Sequence, residues 1–131
     1  MSKNDKKQQR MDPLSNSKVM GREGMKIIRN IAFGAYNIYN EGHIFRNTEF
    51  VNATIYEVDK KIFEAGIHMN AVRFAYHGTE DPKIIGLLMK DQKAFEAYNL
   101  VRQVLVSILE TGDTGFLYVL ASKLPQYKYN I

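Results

Sequence analysis

Side chains able to act as acids, bases, nucleophiles or metal ligands are few in this 131-residue sequence, and they are poorly grouped. The histidines are His43, His68 and His77, and there is no cysteine. His68 and His77 fall on one long predicted helix, where their spacing puts them on opposite faces of a 3.6-residue turn, unable to share an ion. A zinc site needs three or four donors brought together by spacings such as His-x-x-x-His, and no such spacing occurs. Surface or capping histidines are the expectation, with His77 placed just ahead of Gly78 to complement a helix C-terminus. No metal and no cofactor are expected.

Gly21-Arg22-Glu23-Gly24 has the glycine content of a phosphate-binding loop but lacks the preceding strand and the Lys-Ser/Thr pair. It reads as a helix start where a second backbone comes close. Beyond residue 17 the only serines are Ser107 and Ser122, neither in a nucleophile-elbow pattern. The carboxylates fall mostly on predicted polar faces or caps. Glu57 with Lys61 and Lys60 with Glu64 stand at i,i+4 and mark the expected solvated side of a helix. These residues compose no catalytic constellation, so a non-enzymatic protein is the expectation.

The elements that must position these residues are helical. Met25, Ile28, Ile31 or Ala32, Ala35 and Tyr39 recur every three or four residues and predict an amphipathic helix from Lys18 to about Asn40, ended by Gly42. Gly21, Gly24 and Gly34 each weaken it by about 1 kcal/mol relative to Ala, so it needs neighbours. Its apolar residues, Phe33, Tyr36, Ile38 and Tyr39 among them, fill more than one stripe, which suggests a subunit interface. Val51, Ile55, Val58, Ile62, Ala65, Met69, Val72 and Tyr76 alternate four- and three-residue steps, a heptad-like seam expected to be buried against the first and fourth helices or against a symmetry mate. Asn47 or Thr48 caps that helix and Gly78 ends it, giving about 29 residues and roughly 43 Å.

Asp81 and Pro82 open a short helix that is expected to stop near Lys90. Asp91 is expected to cap a fourth helix, carrying Phe95, Tyr98, Val101, Leu105 and Ile108 and ended by Gly112. Asp113 begins a last short helix that Pro125 closes. After it, Tyr127, Lys128, Tyr129, Asn130 and Ile131 alternate with period two, the pattern of an extended segment with Tyr127, Tyr129 and Ile131 on one face, either docked to a partner or folded back on the chain's own helical body. No alternating pattern longer than a few residues precedes it. The predicted fold is all-α, a compact bundle of about four to five helices including one long central helix, with a flexible basic arm over residues 1–17, a helical domain over 18–124 and an extended tail over 125–131.

Charge is uneven. Lys3, Lys6, Lys7, Arg10, Lys18, Arg22, Lys26 and Arg29 against Asp5, Asp12 and Glu23 give the first 30 residues a net charge of +5, while the whole chain carries +4. Lys3, Lys6, Lys7, Arg10, Lys18 and Arg22 are therefore the candidate contacts to nucleic acid or to an acidic protein surface. No aromatic side chain precedes Phe33 to stack on bases, so such contact would be non-specific. The longest apolar run, Phe116 to Ala121, is far shorter than the roughly 18 residues a membrane span requires, and no membrane partner is expected. The absence of cysteine suits a reducing compartment.

A Lys/Asn-rich start, many Tyr, Asn and Ile, no Cys or Trp, a helical body and the ending Tyr-Lys-Tyr-Asn-Ile resemble small virion proteins of tailed bacteriophages, the crAss-like group among them. The resemblance lies in general character, and no functional residue is carried over from it. It implies an oligomeric head-to-tail connector, ring or cargo component, bound to copies of itself and other assembly proteins and assembled in the host cytoplasm. The competing expectation is a small cytoplasmic, nucleic-acid-associated accessory or regulatory protein that uses the basic arm.

Overall fold

Proline at a first helical position lacks only an N–H that would have no partner there, and Pro13 opens the first helix, α1, Pro13–Ala32. The computed structural model describes residues 13–78 and 80–131. Helix therefore begins five residues before the predicted Lys18, inside the segment expected to be an arm; residues 1–12 of that arm lie outside the described residues. The other end of α1 also differs from expectation. Gly34 takes φ +74°, its N–H bonds Ile31 O at 3.0 Å, and the Ala35 N–H bonds Asn30 O at 2.8 Å, the paired closure of a Schellman motif. The helix thus stops eight residues before Asn40, and a separate short helix, α2, Ile38–Glu41, follows with Asn37 as its cap.

A 3-10 turn, Gly42–Arg46, leads to α3, Thr48–Ala75. Asn47 Oδ1 accepts from the N–H groups of Glu49 (2.9 Å) and Phe50 (3.2 Å), the predicted cap. Gly78 turns the chain at φ +79°, and Asp81 Oδ1 accepts from the Lys83 N–H at 3.0 Å to start α4, Pro82–Thr111. The predicted break at Lys90 and Asp91 is absent: α4 runs 30 residues, about 45 Å. No Gly or Pro stands there to end it, and the Asp91 carboxylate is held by His68 of α3 instead of capping a new helix. After Gly112, Asp113 caps a 3-10 turn, Thr114–Phe116, that passes into α5, Leu117–Lys123.

Helix α3 is the centre of an all-α bundle, with α1 and α4 packed along it and α5 closing the gap between α1 and α4. The core lies at one end. Met25, Ile28 and Ile31 of α1, Val51 and Val58 of α3, Val101, Leu105 and Ile108 of α4, and Leu117, Leu120 and Leu124 are buried together, with Phe45 edge-on to Phe50 at 5.3 Å. The Gly21 and Gly24 reading is right about close approach: a Cβ on Gly21 would stand 2.7 Å from Ala53 O, and one on Gly24 would overlap the Thr54 hydroxyl. Those glycines sit mid-helix, where they let α1 settle onto α3.

Residues 124–131 are not extended. Leu124–Tyr127 form a 3-10 turn, and the N–H groups of Lys128 and Asn130 bond Pro125 O (3.2 Å) and Tyr127 O (2.8 Å). A helical body offers no strand edge to pair with, so turns satisfy these backbone groups locally.

Candidate functional site

Chemically capable side chains remain dispersed in three dimensions. His43 lies in the 3-10 turn before α3, His68 on α3 and His77 just past its end. His68 Nδ1 meets Asp91 Oδ2 at 2.5 Å, and Arg102 Nε meets Asp59 Oδ1 at 2.7 Å, two clasps that tie α3 to α4. Among the described residues no three His, Asp or Glu side chains gather closely enough to hold a metal ion. Among them, too, no helix is long and apolar enough to cross a membrane.

Glu57 departs from the sequence expectation. Instead of marking a solvated face it is 9% exposed beneath Gly21, because α1 lies on that side of α3. Its partner is Lys60, with Nζ 3.2 Å from Oε2, while Lys61 pairs with Glu64 at 3.7 Å; both are i,i+3 pairs, one residue closer than predicted. Glu57 and Lys60 border an open cleft between the start of α1 and α3, which Lys18, Glu49, Asn52 and Tyr56 also line. Charges of both signs meet there.

Of the candidate phosphate-contacting residues, Lys3, Lys6, Lys7 and Arg10 lie outside the described residues, and Lys18 and Arg22 are exposed on α1. Lys26 is exposed one step further on, so Lys18, Arg22 and Lys26 form a four-residue-step basic stripe. Arg29, the next cation, turns inward. Its Nε donates to the Ile131 main-chain oxygen at 3.1 Å, and it faces Tyr98, whose hydroxyl burial pushes above the ordinary 10.0 while Arg29 pulls it back.

The candidate docking residues of the tail are split. Tyr127 and Ile131 are half-buried against the chain's own core, and Tyr129 is exposed, edge-on to Phe33 at 6.0 Å. The Tyr127 hydroxyl donates to Glu96 Oε1 at 3.3 Å; desolvation first, then that carboxylate, raise its pKa above 10.0. They do not form the one free face that the alternation predicted.

No family model, curated protein or solved structure matches this chain. Its own surface is therefore the guide to function.

That surface is unusual along the far half of the α3–α4 hairpin, beyond the reach of α1 and α5. There Met69 and Val72 are buried between the two helices, yet Phe63, Ile67, Phe74, Ile85, Leu87 and Met89 are all exposed. The heptad-like seam itself behaves as predicted at Val51 and Val58, becomes half-buried at Ile62 and Ala65, and reaches solvent at Tyr76. The sequence pattern places a subunit interface on the first helix. However, Ile27, Ile28 and Ile31 are covered within the chain, and Phe33 and Tyr39 are exposed beyond the helix end. Sequence reasoning missed the outward residues of α3 because the inward seam dominates its periodicity.

Proposed function

We propose that this chain is a non-enzymatic structural assembly protein, an oligomeric component of a phage particle of the connector, ring or cargo type. The observation that supports this is the far half of the α3–α4 hairpin, where Phe63 is 68% exposed and Phe74 90%. Large apolar side chains grouped on a surface mark sites of association. The character of the sequence adds the kind of assembly. Native mass spectrometry of the full chain, alone and from particles that contain it, tests the reading. An oligomer is expected, and a chain that stays monomeric at every concentration and enters no particle counts against it.

A second reading is favoured by Lys18, Arg22 and Lys26, exposed at four-residue steps on α1 next to a basic N-terminus. In that reading the chain is an accessory protein that binds nucleic-acid phosphates without sequence preference. Affinity for duplex DNA would then fall steeply and linearly with log salt. A flat salt dependence, or no binding, removes it.

A further inference from the structure

Helix α3 carries a second seam. Tyr56, Lys60, Phe63, Ile67, Asn70 and Phe74 follow one another by four, three, four, three and four residues, the same rhythm as the inward seam. At about 100° per residue, Phe63, Ile67 and Phe74 point roughly 140–180° away from the residues that face α4. Among the described residues none covers them: Tyr56 is 63% exposed and Ile67 52%, against 9% for Met69 on the inner side.

Alongside these side chains the surface is hollowed in the pattern a helix partner needs. One hollow is lined by Lys60, Phe63, Glu64, Ile67, His68 and Ala71. Lys60, Phe63, Glu64 and Ile67 stand at i, i+3, i+4 and i+7, the four corners of a hole that accepts a knob from a facing helix. Glu64, Ile67, His68 and Ala71 repeat that geometry one turn on. Next to them, the cleft beside Tyr56 includes Asn52, Tyr56 and Lys60 and extends the row toward the start of α3.

We propose that a second copy of this chain occupies this face, its α3 antiparallel to the first about a two-fold axis near residue 65. The inference rests on the assembly reading and names its surface and partner. The spacing is symmetric about that point: Tyr56 and Phe74, Lys60 and Asn70, and Phe63 and Ile67 are each equidistant from it, so every large apolar knob meets an apolar knob of the other copy. A two-fold contact requires such self-complementarity. Charge permits it as well. From Tyr56 to Phe74 the chain has Lys60, Lys61 and Arg73 against Glu57, Asp59 and Glu64, a net charge of zero that neither repels a second copy nor selects a polyanion. Lys60 already leans over the Tyr56 ring at 5.5 Å, leaving its aliphatic stem to pack.

The area sets the strength. Tyr56, Phe63 and Phe74 are 63%, 68% and 90% exposed, so at 150–250 Å2 for a wholly buried aromatic their remaining exposed surface comes to about 700–1,100 Å2 over the two copies. This is below the roughly 1,200–2,000 Å2 of stable complexes, so the dimer dissociates on dilution unless a larger assembly holds it.

The cysteine-free chain makes the test direct. Tyr56→Cys and Phe74→Cys chains are prepared separately, then oxidised alone and mixed. Antiparallel pairing brings position 56 of one copy to position 74 of the other, whereas identical positions lie about 27 Å apart. A disulfide dimer in the mixture and none with either chain alone is expected. Cross-linking of either chain with itself, or no cross-link in the mixture, overturns the proposal. In parallel, sedimentation of the unmodified chain should show a mass rising with concentration toward twice 15.1 kDa, and Ile67→Glu should weaken the dimer roughly tenfold or more while the melting temperature of the dilute monomer stays unchanged. A larger oligomer indifferent to Ile67→Glu overturns this seam but leaves the assembly reading standing. A monomer throughout that floats with neutral lipid vesicles overturns it in favour of a membrane surface.

Discussion

Two glycines show how a single residue is decided by what surrounds it. Gly24 and Gly86 both lie inside helices, and replacing either by Ala improves intrinsic helix propensity by about 1 kcal/mol. At Gly86 none of the described residues stands within 4 Å of the added methyl group, so Gly86→Ala should raise stability by about 0.5–1 kcal/mol. At Gly24 the methyl would overlap Thr54, which is fully buried with its hydroxyl bonded to Phe50 O at 2.8 Å and has nowhere to turn. Overpacking there should outweigh the propensity gain and leave a net loss of about 1–3 kcal/mol. Urea denaturation of the two variants checks both signs. A Gly24→Ala chain as stable as the parent would mean that α1 does not rest on α3 at this point.

At the scale of elements, the C-terminal turns act as a strap across the core end of the bundle. Arg29 of α1 holds the Ile131 main-chain oxygen, Tyr129 meets Phe33, and Tyr127 reaches Glu96 of α4. Deleting residues 126–131 removes a bond to a charged donor and uncovers part of the core, and should cost about 2–4 kcal/mol. Thermal melting of the truncated chain tests this, and an unchanged midpoint would show that the strap contributes nothing. How much was legible in the sequence follows from the same local chemistry. Asn47, Asp81 with Pro82, Gly112 and Asp113 mark real element ends because a cap or a left-handed glycine leaves a local signature. The Asp12-Pro13 pair carries the same start signal as Asp81-Pro82, and the structure begins a helix at that proline. The end of α1 at Gly34 was obscured because Ile38 and Tyr39 continue the helical spacing past it. The false break at Asp91 and the supposed solvated face at Glu57 share another cause. Asp91 is claimed by His68 of a different helix and Glu57 is covered by the overlying α1, and one-dimensional periodicity contains no such information. The tail's alternation was a true pattern with no strand to answer it.

For the whole molecule, the placement of the core at one end implies a gradient of stability along the two longest helices. Near the core, α3 touches both α1 and α4, and its buried residues there include Phe50, Val51, Ala53, Thr54 and Val58. Beyond Ile62 its only buried side chains are Met69 and Val72, and in α4 none before Ala97 is buried. Among the described residues these two helix halves pack only on each other and bury one stripe apiece, so the far half relies on few apolar contacts, the His68–Asp91 clasp and its own backbone bonds. Amides in such regions open locally, at a free energy below that of global unfolding. Hydrogen exchange of the dilute chain should therefore show the slowest amides at Val101–Ile108 and Val51–Val58, with faster exchange from Phe63 to Ala75 and from Ile84 to Lys90. Uniform protection along both helices in the monomer would show that the hairpin is stable without any partner. If the second seam of α3 is covered by another copy, raising the concentration should slow exchange from Phe63 to Phe74 and leave the already slow core unchanged. Protection that rises with concentration in the core, but not in the hairpin, would place the contact on another face.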